Sequence, residues 1–173
     1  MAMPRKLKSM NLFNDGLSYM GVASSVTLPK LTRKLEAWRG AGMNGAAHVD
    51  FGLDDEALTL EWTLGGFPDE ALWAQYALPG ASSVPLRFAG SYQRDDTEEE
   101  TAVEVVVRGR HKEFDGGDSK QGEDTETKIT TLCTYYKLTM NGKELIEIDT
   151  INMIEKVNGI DRLEQRRRNI GLS

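Results

Sequence analysis

The chain has 173 residues, of which 39% are hydrophobic and 28% are charged, with a formal net charge of −6 at pH 7. This acidic balance argues against simple binding to a phosphate backbone, and the apolar content is too high for a disordered chain. The single cysteine, Cys133, rules out an intrachain disulfide, and no run approaches the roughly 18 apolar residues of a membrane-spanning helix.

Residues 1–173 are expected to fold as one soluble domain whose N-terminal part contains two short strands. These strands are predicted at residues 8–13 and 22–28, because the turn-forming sequence Asn14-Asp15-Gly16 lies between them. We expect Cys133 to be a small core residue of a later strand.

Residues 30–39 carry four basic side chains and fit either a helix or an extended arm, since periodicity alone does not decide between them. The glycine-rich stretch that follows, residues 40–45, is typical of a flexible loop. We therefore predict arms at three places: the N-terminus, residues 30–54 and residues 158–173.

A half-buried strand is predicted at residues 57–64, where apolar and polar residues alternate with the period of a strand. A helix is predicted at residues 68–78, because a proline lies near its start, acids occupy its first turn and Pro79-Gly80 ends it. The predicted buried face of the strand consists of Leu58, Leu60, Trp62 and Leu64.

Two further alternating strands are predicted at residues 84–93 and 101–112, separated by an acidic loop at residues 95–100. A long β-hairpin is predicted at residues 125–154, because Asn141-Gly142 supplies the two residues that a tight turn with positive φ requires. Each hairpin arm would hold a dozen residues or more, which is about 40 Å at roughly 3.3 Å per residue. Such strands carry long unpaired edges, which indicates a chain built for assembly.

The order of these elements predicts the fold class. It is a mainly β protein, an antiparallel β-sandwich or barrel with one flanking α-helix and a long β-hairpin. Residues 161–168 also fit a short polar helix near the C-terminus.

No group of residues forms a recognisable catalytic site, and no cofactor is expected. A G-x-G-x-x-G pattern occurs at Gly40, Gly42 and Gly45, but it lacks the preceding apolar strand of a dinucleotide site. The two histidines, His48 and His111, do not have the spacing of metal ligands.

The charged runs also have ordinary explanations. A calcium loop needs a central glycine among its acids, so a solvated turn is the better interpretation of Asp50, Asp54, Asp55 and Glu56. The arginine run at residues 166–168 fits a solvated face or an intersubunit contact better than a nucleic-acid site.

Five segments together resemble the major tail tube protein of contractile-tailed bacteriophages of the temperate enterobacterial type. The resemblance runs essentially end to end, over residues 1–172. The segments are residues 26–36 (VTLPKLTRKLE), 39–45 (RGAGMNG), 64–67 (LGGF), 88–94 (FAGSYQR) and 147–159 (EIDTINMIEKVNG).

This resemblance implies a structural protein of the virion tail, made and assembled in the bacterial host cytoplasm, and not an enzyme. Members of the family form hexameric rings that stack into a hollow tube inside a contractile sheath. Each subunit would lend long strands to a continuous β-barrel around the lumen. The implied partners are other copies of the chain, the sheath protein, the tape-measure protein and the baseplate initiator, and DNA would pass through the lumen without specific binding.

The resemblance also implies which residues carry the assembly. Ring-stacking contacts are expected from Arg39, Gly40, Gly42, Met43, Asn44, Gly45, Arg166, Arg167 and Arg168.

We expect Asn141 and Gly142 to fix the register of the long hairpin. A cationic lumen would bind phosphates, so we hypothesise a lumen with an excess of carboxylates. The candidate lumen acids are Glu126, Glu144, Glu147 and Asp149.

Two alternatives remain open at this point. A tube protein of a contractile bacteriocin or a type VI-like secretion machine would share the same features. A sugar- or ligand-binding β-sandwich would instead be a monomer with a defined aromatic pocket, and the long hairpin and acidic loops argue against it.

Overall fold

The computed structural model describes residues 1–172, which form a ten-stranded antiparallel sheet, a separate two-stranded sheet and two short helices. The predicted class, mainly antiparallel β with a flanking helix, is confirmed. Neither of the two described helices has the length and apolar character needed to cross a membrane. The elements in chain order are β1 (Lys6–Asn14), β2 (Leu17–Ser18), β3 (Ala23–Thr27), β4 (Arg33–Trp38), β5 (Ala47–Leu53), β6 (Thr59–Gly65), α1 (Glu70–Trp73), β7 (Val84–Gln93), β8 (Glu100–Asp115), β9 (Glu126–Met140), β10 (Lys143–Asp149), β11 (Ile154–Val157), β12 (Ile160–Asp161) and α2 (Glu164–Asn169).

The central strand of the large sheet is β9, and its two edges have different partners. β8 runs along one edge, while β6 pairs with residues 126–132 and β10 with residues 135–140 of the other edge. The sheet continues from β8 through β7 and β1 to β2, from β10 through β11 to β12, and from β6 to β3. This path does not return on itself, so residues 1–172 form no closed barrel.

One apolar cluster covers one face of the large sheet. The predicted strand face is confirmed, because Leu58, Leu60, Trp62 and Leu64 are each at most 2% exposed. They belong to the same cluster as buried side chains of β1, β7, β8 and β9. The alternation of apolar residues along these strands therefore determines which face of the sheet is covered.

A β-bulge at Thr134 of β9, opposite the step from Arg108 to Gly109 of β8, changes which residues of β9 face the core. The register between β8 and β9 shifts between Arg108 and Gly109. On β9, Ile129 and Thr131 are buried before the bulge and the even-numbered Tyr136 is buried after it. The extra residue lets β9 keep its buried side chains on the core face, although the buried positions change from odd to even residue numbers.

The predicted hairpin at residues 125–154 is shorter on its second side than expected. β9 has 15 residues, but β10 has only 7, so the prediction of a dozen or more residues in each arm is wrong for β10. The Asp149 carboxylate accepts hydrogen bonds from the backbone N–H groups of Ile151 and Asn152, and this turn sends the chain back as β11. The longest antiparallel pair is instead β8 with β9.

The turn at Asn141-Gly142 has the predicted geometry, with φ of 49° and 80° at the two residues. Asn141 also holds β8, because its N–H donates to the Ala102 carbonyl at 2.8 Å and its side-chain oxygen accepts from the Ala102 N–H at 3.0 Å. The turn therefore joins three strands.

Replacing Gly142 with valine should destabilise this turn by about 2 kcal/mol, because a β-branched residue is strained at positive φ. We expect the subunit to remain largely folded in urea titrations while its yield of assembled particles falls sharply. Lys143→Val, which places the same side chain on the adjacent strand residue, is the matched control. Wild-type assembly by Gly142→Val would remove the argument that this turn sets the register.

The helix predicted at residues 68–78 is a single turn of α-helix. α1 ends at Trp73, and Gln75 and Tyr76 continue it with tighter bonds from their N–H groups to the carbonyls three residues earlier. Ala77 has a φ of 58°, so the helix has already ended before Pro79. Proline disfavours helical geometry in the residue before it, and the prediction relied on this to end the helix. It therefore placed the end of the helix too late in the chain.

Within the arm predicted at residues 30–54, residues 33–53 form a β-hairpin, so the open choice between helix and extended arm at residues 30–39 is decided for extended strand. β4 pairs with β5 from Arg33 opposite Leu53 to Trp38 opposite Ala47, and the glycine-rich residues make only the connection. The interpretation of the acids from Asp50 onward as a solvated turn is correct for residues 54–56 but missed that Asp50 lies in a strand. We call β4, β5 and their connection, residues 33–53, the hairpin arm.

Candidate functional site

The base of the hairpin arm is attached to the large sheet through Arg33. Its guanidinium group bonds the Asp50 carboxylate within the arm, at 3.0 Å, and the Glu155 carboxylate of β11, at 2.6 Å. The pKa of the Asp50 carboxyl is lowered by the Gly52 N–H and Arg33, with a smaller contribution from the charge of Arg166. One face of the arm is therefore turned toward the C-terminal part of its own subunit.

The other face of the hairpin arm carries large exposed apolar side chains, with Glu36 among them opposite Val49. Trp38 lies opposite Ala47, so it shares a face with Val49, and Phe51 follows at the next alternate position. Trp38, Val49 and Phe51 are 62%, 42% and 60% exposed. An isolated subunit gains nothing from three large apolar side chains in water, and adjacent exposed apolar groups usually mark an interaction surface.

The predicted stacking residues of the glycine loop all lie at the tip of the hairpin arm. Met43 donates its N–H to the Gly40 carbonyl, and Gly42 has a φ of 82°. A Cβ at Gly40 would lie 3.4 Å from the indole nitrogen of Trp38, at ordinary contact distance, so the indole lies beside the tip. Within this segment Arg39, Gly40, Gly42, Met43, Asn44 and Gly45 are arranged as a compact turn with little burial.

The arginine run of α2 divides into three roles. Arg167 braces its own subunit, donating to the Met153 carbonyl at 2.7 Å and the Asp161 carboxylate at 2.5 Å. Arg168 forms an ion pair with Glu164 on the same helix. Arg166 is the member whose charge reaches Asp50 of the hairpin arm, a residue outside the predicted stacking set.

A second exposed apolar surface surrounds α1, and we call it the aromatic patch: Phe67, Trp73, Tyr76 and Phe114. The rings of Phe67 and Trp73 are 5.3 Å apart, those of Trp73 and Phe114 5.1 Å, and those of Tyr76 and Phe114 5.7 Å. Phe67, Tyr76 and Trp73 are 79%, 64% and 36% exposed. The patch was not among the sequence predictions.

A buried chain of hydrogen bonds connects the aromatic patch to the core. The Trp62 indole N–H donates to the Thr131 hydroxyl, which lies 2.9 Å from Nδ1 of His111. Nε2 of His111 lies 2.9 Å from Oε1 of Gln75. The Gln75 side-chain amide also makes two hydrogen bonds with the side-chain amide of Asn14. Since Gln75 Oε1 can only accept, His111 must carry its proton on Nε2 and accept from Thr131 at Nδ1. The segment that carries the patch is therefore fixed by neutral His111.

Burial lowers the pKa of His111 from its usual 6.5 to about 4. Below pH 6.5 the His111 side chain binds a proton in the unfolded chain, whereas in the folded chain it stays neutral down to about pH 4. Protonation therefore favours unfolding as the pH falls below 6.5, and the stability of the fold is fully present above pH 6.5. We expect the free energy of unfolding of dilute protein to fall by about 2 kcal/mol between pH 7 and pH 5. Urea titrations should show this fall in the wild type and in the exposed-histidine variant His48→Gln, but not in His111→Gln. An equal fall in His111→Gln would contradict the assignment.

The four candidate lumen acids lie on the sheet face directed away from the core. Glu126 neighbours buried Thr127, which faces inward. Glu144 and Glu147 share the outer face, because a bulge at Leu145 sets them opposite Thr139 and Lys137. Asp149 caps the turn after β10, so its carboxylate has a structural role.

Basic side chains balance these acids on the same face. Lys137 pairs with Glu144 at 3.8 Å, and Arg87 pairs with Glu104 at 3.6 Å. Tyr135 donates its hydroxyl to Glu147 at 2.9 Å, while the Arg108 guanidinium lies 4.1 Å from the Tyr135 ring. Near Glu144 and Glu147, therefore, Lys137 and Arg108 are held by neighbouring side chains, as is Arg87 beside Glu104.

Groups with catalytic or metal-binding potential are not brought together. Among residues 1–172, no three or more His, Cys, Asp and Glu side chains are arranged to hold a metal ion. Burial raises the pKa of the Cys133 thiol to about 12, so a reactive thiolate does not form there at neutral pH.

Comparison with known proteins agrees with an assembly role. The family model described as phage tail tube protein FII matches residues 4–171. The tail tube protein of Escherichia phage P2 is 73% identical over 172 residues, covering 99% of this chain and all of that protein. The major tail tube protein of Serratia phage KSP20 is 42% identical over 159 residues, covering 92% of this chain and 91% of that protein.

A solved structure supports the fold. It is a chain of the cryo-EM structure of the anti-feeding prophage baseplate, 6-fold symmetrised, with a TM-score of 0.54 and 11% identity. The match covers 84% of this chain and all of that chain. The relatives are structural tail proteins and not enzymes. The sequence match along nearly the whole chain, together with this antiparallel fold, shows that the protein belongs to the phage tail tube family of contractile-tailed phages, as a structural component of the virion tail.

Proposed function

We propose that six copies of the chain form a ring, and that stacked rings build the inner tube of a contractile tail through which DNA leaves the virion. The observation that carries this proposal is the uncovered apolar face of the hairpin arm. A tail tube protein assembles with copies of itself, and an arm that projects apolar side chains from its own subunit supplies a contact to the next copy.

Unpaired strand edges support lateral closure of the ring. Within residues 1–172, β3 pairs only with β6, and β1 has a partner on its second edge only at Phe13 and Asn14. Free edges of this length are usually covered in soluble proteins. Pairing between neighbouring subunits would cover them and close a β-barrel that one subunit does not close alone. The 6-fold symmetry of the anti-feeding prophage assembly agrees with a ring of six.

The experiment for this proposal is electron microscopy of the purified protein at increasing concentration, alone and together with its baseplate initiator and tape-measure protein. Six-fold rings or hollow tubes are expected. A protein that stays monomeric in every mixture would exclude the proposal. The sheath protein is proposed as the outer partner, and assembly is proposed to take place in the host cytoplasm.

We also propose that the outer sheet face bearing Glu144 and Glu147 lines the lumen. Near these acids Lys137 and Arg87 are held by carboxylates and Arg108 lies against Tyr135, so these three cations are less free to bind phosphates by counterion release. This refines the hypothesis of a carboxylate excess, because the described face has paired charges rather than acids alone. Asp149 is the weakest of the four candidates, since its carboxylate caps a turn.

The lumen proposal predicts the effect of freeing these cations. The double variant Glu104→Gln and Glu144→Gln removes the partners of Arg87 and Lys137 and should slow DNA ejection from otherwise normal particles, most strongly at low salt. Asp124→Asn, which removes an exposed acid of the loop between β8 and β9, is the control. Ejection at the wild-type rate from the double variant would show that this face does not line the lumen.

A further inference from the structure

We infer that the aromatic patch is the docking surface for the hairpin arm of a neighbouring copy. The inference rests on the proposed self-assembly and names the two surfaces that meet. An open stack of identical subunits needs heterologous contacts, in which two unlike surfaces of one chain fit each other. The hairpin arm and the aromatic patch are two unlike apolar surfaces of this chain, and each is exposed in the isolated subunit.

The two surfaces have matching chemistry. The arm presents an indole, a phenyl ring and a valine on one face, and the patch presents four aromatic rings within 5.1 to 5.7 Å of their neighbours. Aromatic side chains bury large areas and gain further from edge and tilted packing against each other. Such rings are also enriched at the centres of protein interfaces.

Charge distinguishes the patch from the exposed apolar residues near the C-terminus. The hairpin arm, residues 33–53, holds three basic and two acidic side chains and so has a net positive charge. Acids flank the patch in sequence: Asp69 and Glu70 begin the α1 segment, and Glu113 and Asp115 flank Phe114, with Lys112 as the nearest cation along β8. The C-terminal apolar residues Ile160, Ile170 and Leu172 lie instead among four arginines and two acids. A basic arm therefore favours the patch.

The patch is also held rigidly enough to receive a partner. α1 has only four helical residues, and Leu72 is its buried side chain. The hydrogen bonds of Gln75 to His111 and Asn14 fix the chain that follows it, and the Tyr19 hydroxyl donates to the Asp69 cap at 3.3 Å. A surface that is ordered before binding loses less conformational entropy on association.

Cysteine cross-linking of assembled protein tests this contact. The variant Val49→Cys with Tyr76→Cys, treated with a short bis-maleimide, should give a ladder of covalent multimers on denaturing gels. Each single variant and the wild type, whose Cys133 is poorly reactive, should give none. A ladder from Val49→Cys with Ile170→Cys, and none from the first pair, would overturn the inference. Electron microscopy of each sample separates this result from a failure to assemble, which would overturn the proposed function as well.

A charge exchange provides a second test that does not depend on cysteine geometry. Lys34 shares the face of Trp38, so Lys34→Glu should raise the concentration needed for assembly about tenfold by placing like charges together. Adding Glu70→Lys to the same chain should restore assembly. Failure of the second change to restore it, with both variants folded by circular dichroism, would count against the patch as the docking surface.

Discussion

Replacing Gly109 with alanine is expected to destabilise the folded subunit by about 3 kcal/mol or more, because an added side chain meets backbone atoms that cannot move aside. A Cβ at this position would lie 1.9 Å from the Leu132 carbonyl oxygen and 2.7 Å from the Cys133 Cα. Both strands of the longest pair would have to separate at the bulge. Since domains are stable by only about 5 to 15 kcal/mol, soluble yield should also fall.

Urea unfolding of Gly109→Ala against Gly116→Ala measures this effect. Gly116 lies in the loop after β8, has no atom within 4 Å of an added Cβ and does not have positive φ. The two variants therefore differ in backbone crowding and not in the residue introduced. Equal free energies of unfolding for the two would show that β8 and β9 do not approach each other as described.

Removing the apolar face of the hairpin arm should abolish assembly while leaving the subunit folded. In the variant Trp38→Ser, Val49→Ser and Phe51→Ser, none of the three changes touches the buried core. Each side chain would lose about 1 kcal/mol of further burial at a contact. Together this is about 3 kcal/mol, or roughly a 100-fold higher concentration for assembly.

The matched control is Leu35→Ser, on the opposite face of the same hairpin. Leu35 lies opposite Asp50, on the face that turns toward Glu155 and α2 of its own subunit. Light scattering and electron microscopy should show assembly by this control and not by the triple variant. Unchanged assembly by the triple variant would exclude the arm as an intersubunit contact.

The main strands and their buried faces could be predicted from local alternation. Leu58 to Leu64 and Val84 to Phe88 bury the residues that their period of two places on one face. The turn at Asn141-Gly142 was equally accessible, because positive φ at two successive residues restricts the residue types. These features depend on neighbours in the sequence.

The features that depend on distant residues could not be predicted in the same way. The bulges at Thr134 and Leu145 shift the register by one residue, and nothing within either strand's own pattern marks the shift. β4 and β5 were missed because a hairpin with few buried residues lacks the alternation that identifies a strand.

The candidate site shows the same division. The resemblance located the tip of the hairpin arm, which the structure forms as a compact turn. The aromatic patch and the chain through His111 were missed, because Asn14, Gln75, His111 and Thr131 come from four separate segments. The available signal for the patch was the pair of aromatic residues Trp73 and Tyr76 in the predicted helix.

Cryo-electron microscopy of the assembled protein tests the central claim most directly. The account predicts a hollow tube of stacked six-fold rings, in which the hairpin arm of each subunit crosses to another copy and covers Trp38, Val49 and Phe51. A map in which these three side chains remain in solvent, or in which the subunits form no closed ring, would contradict it.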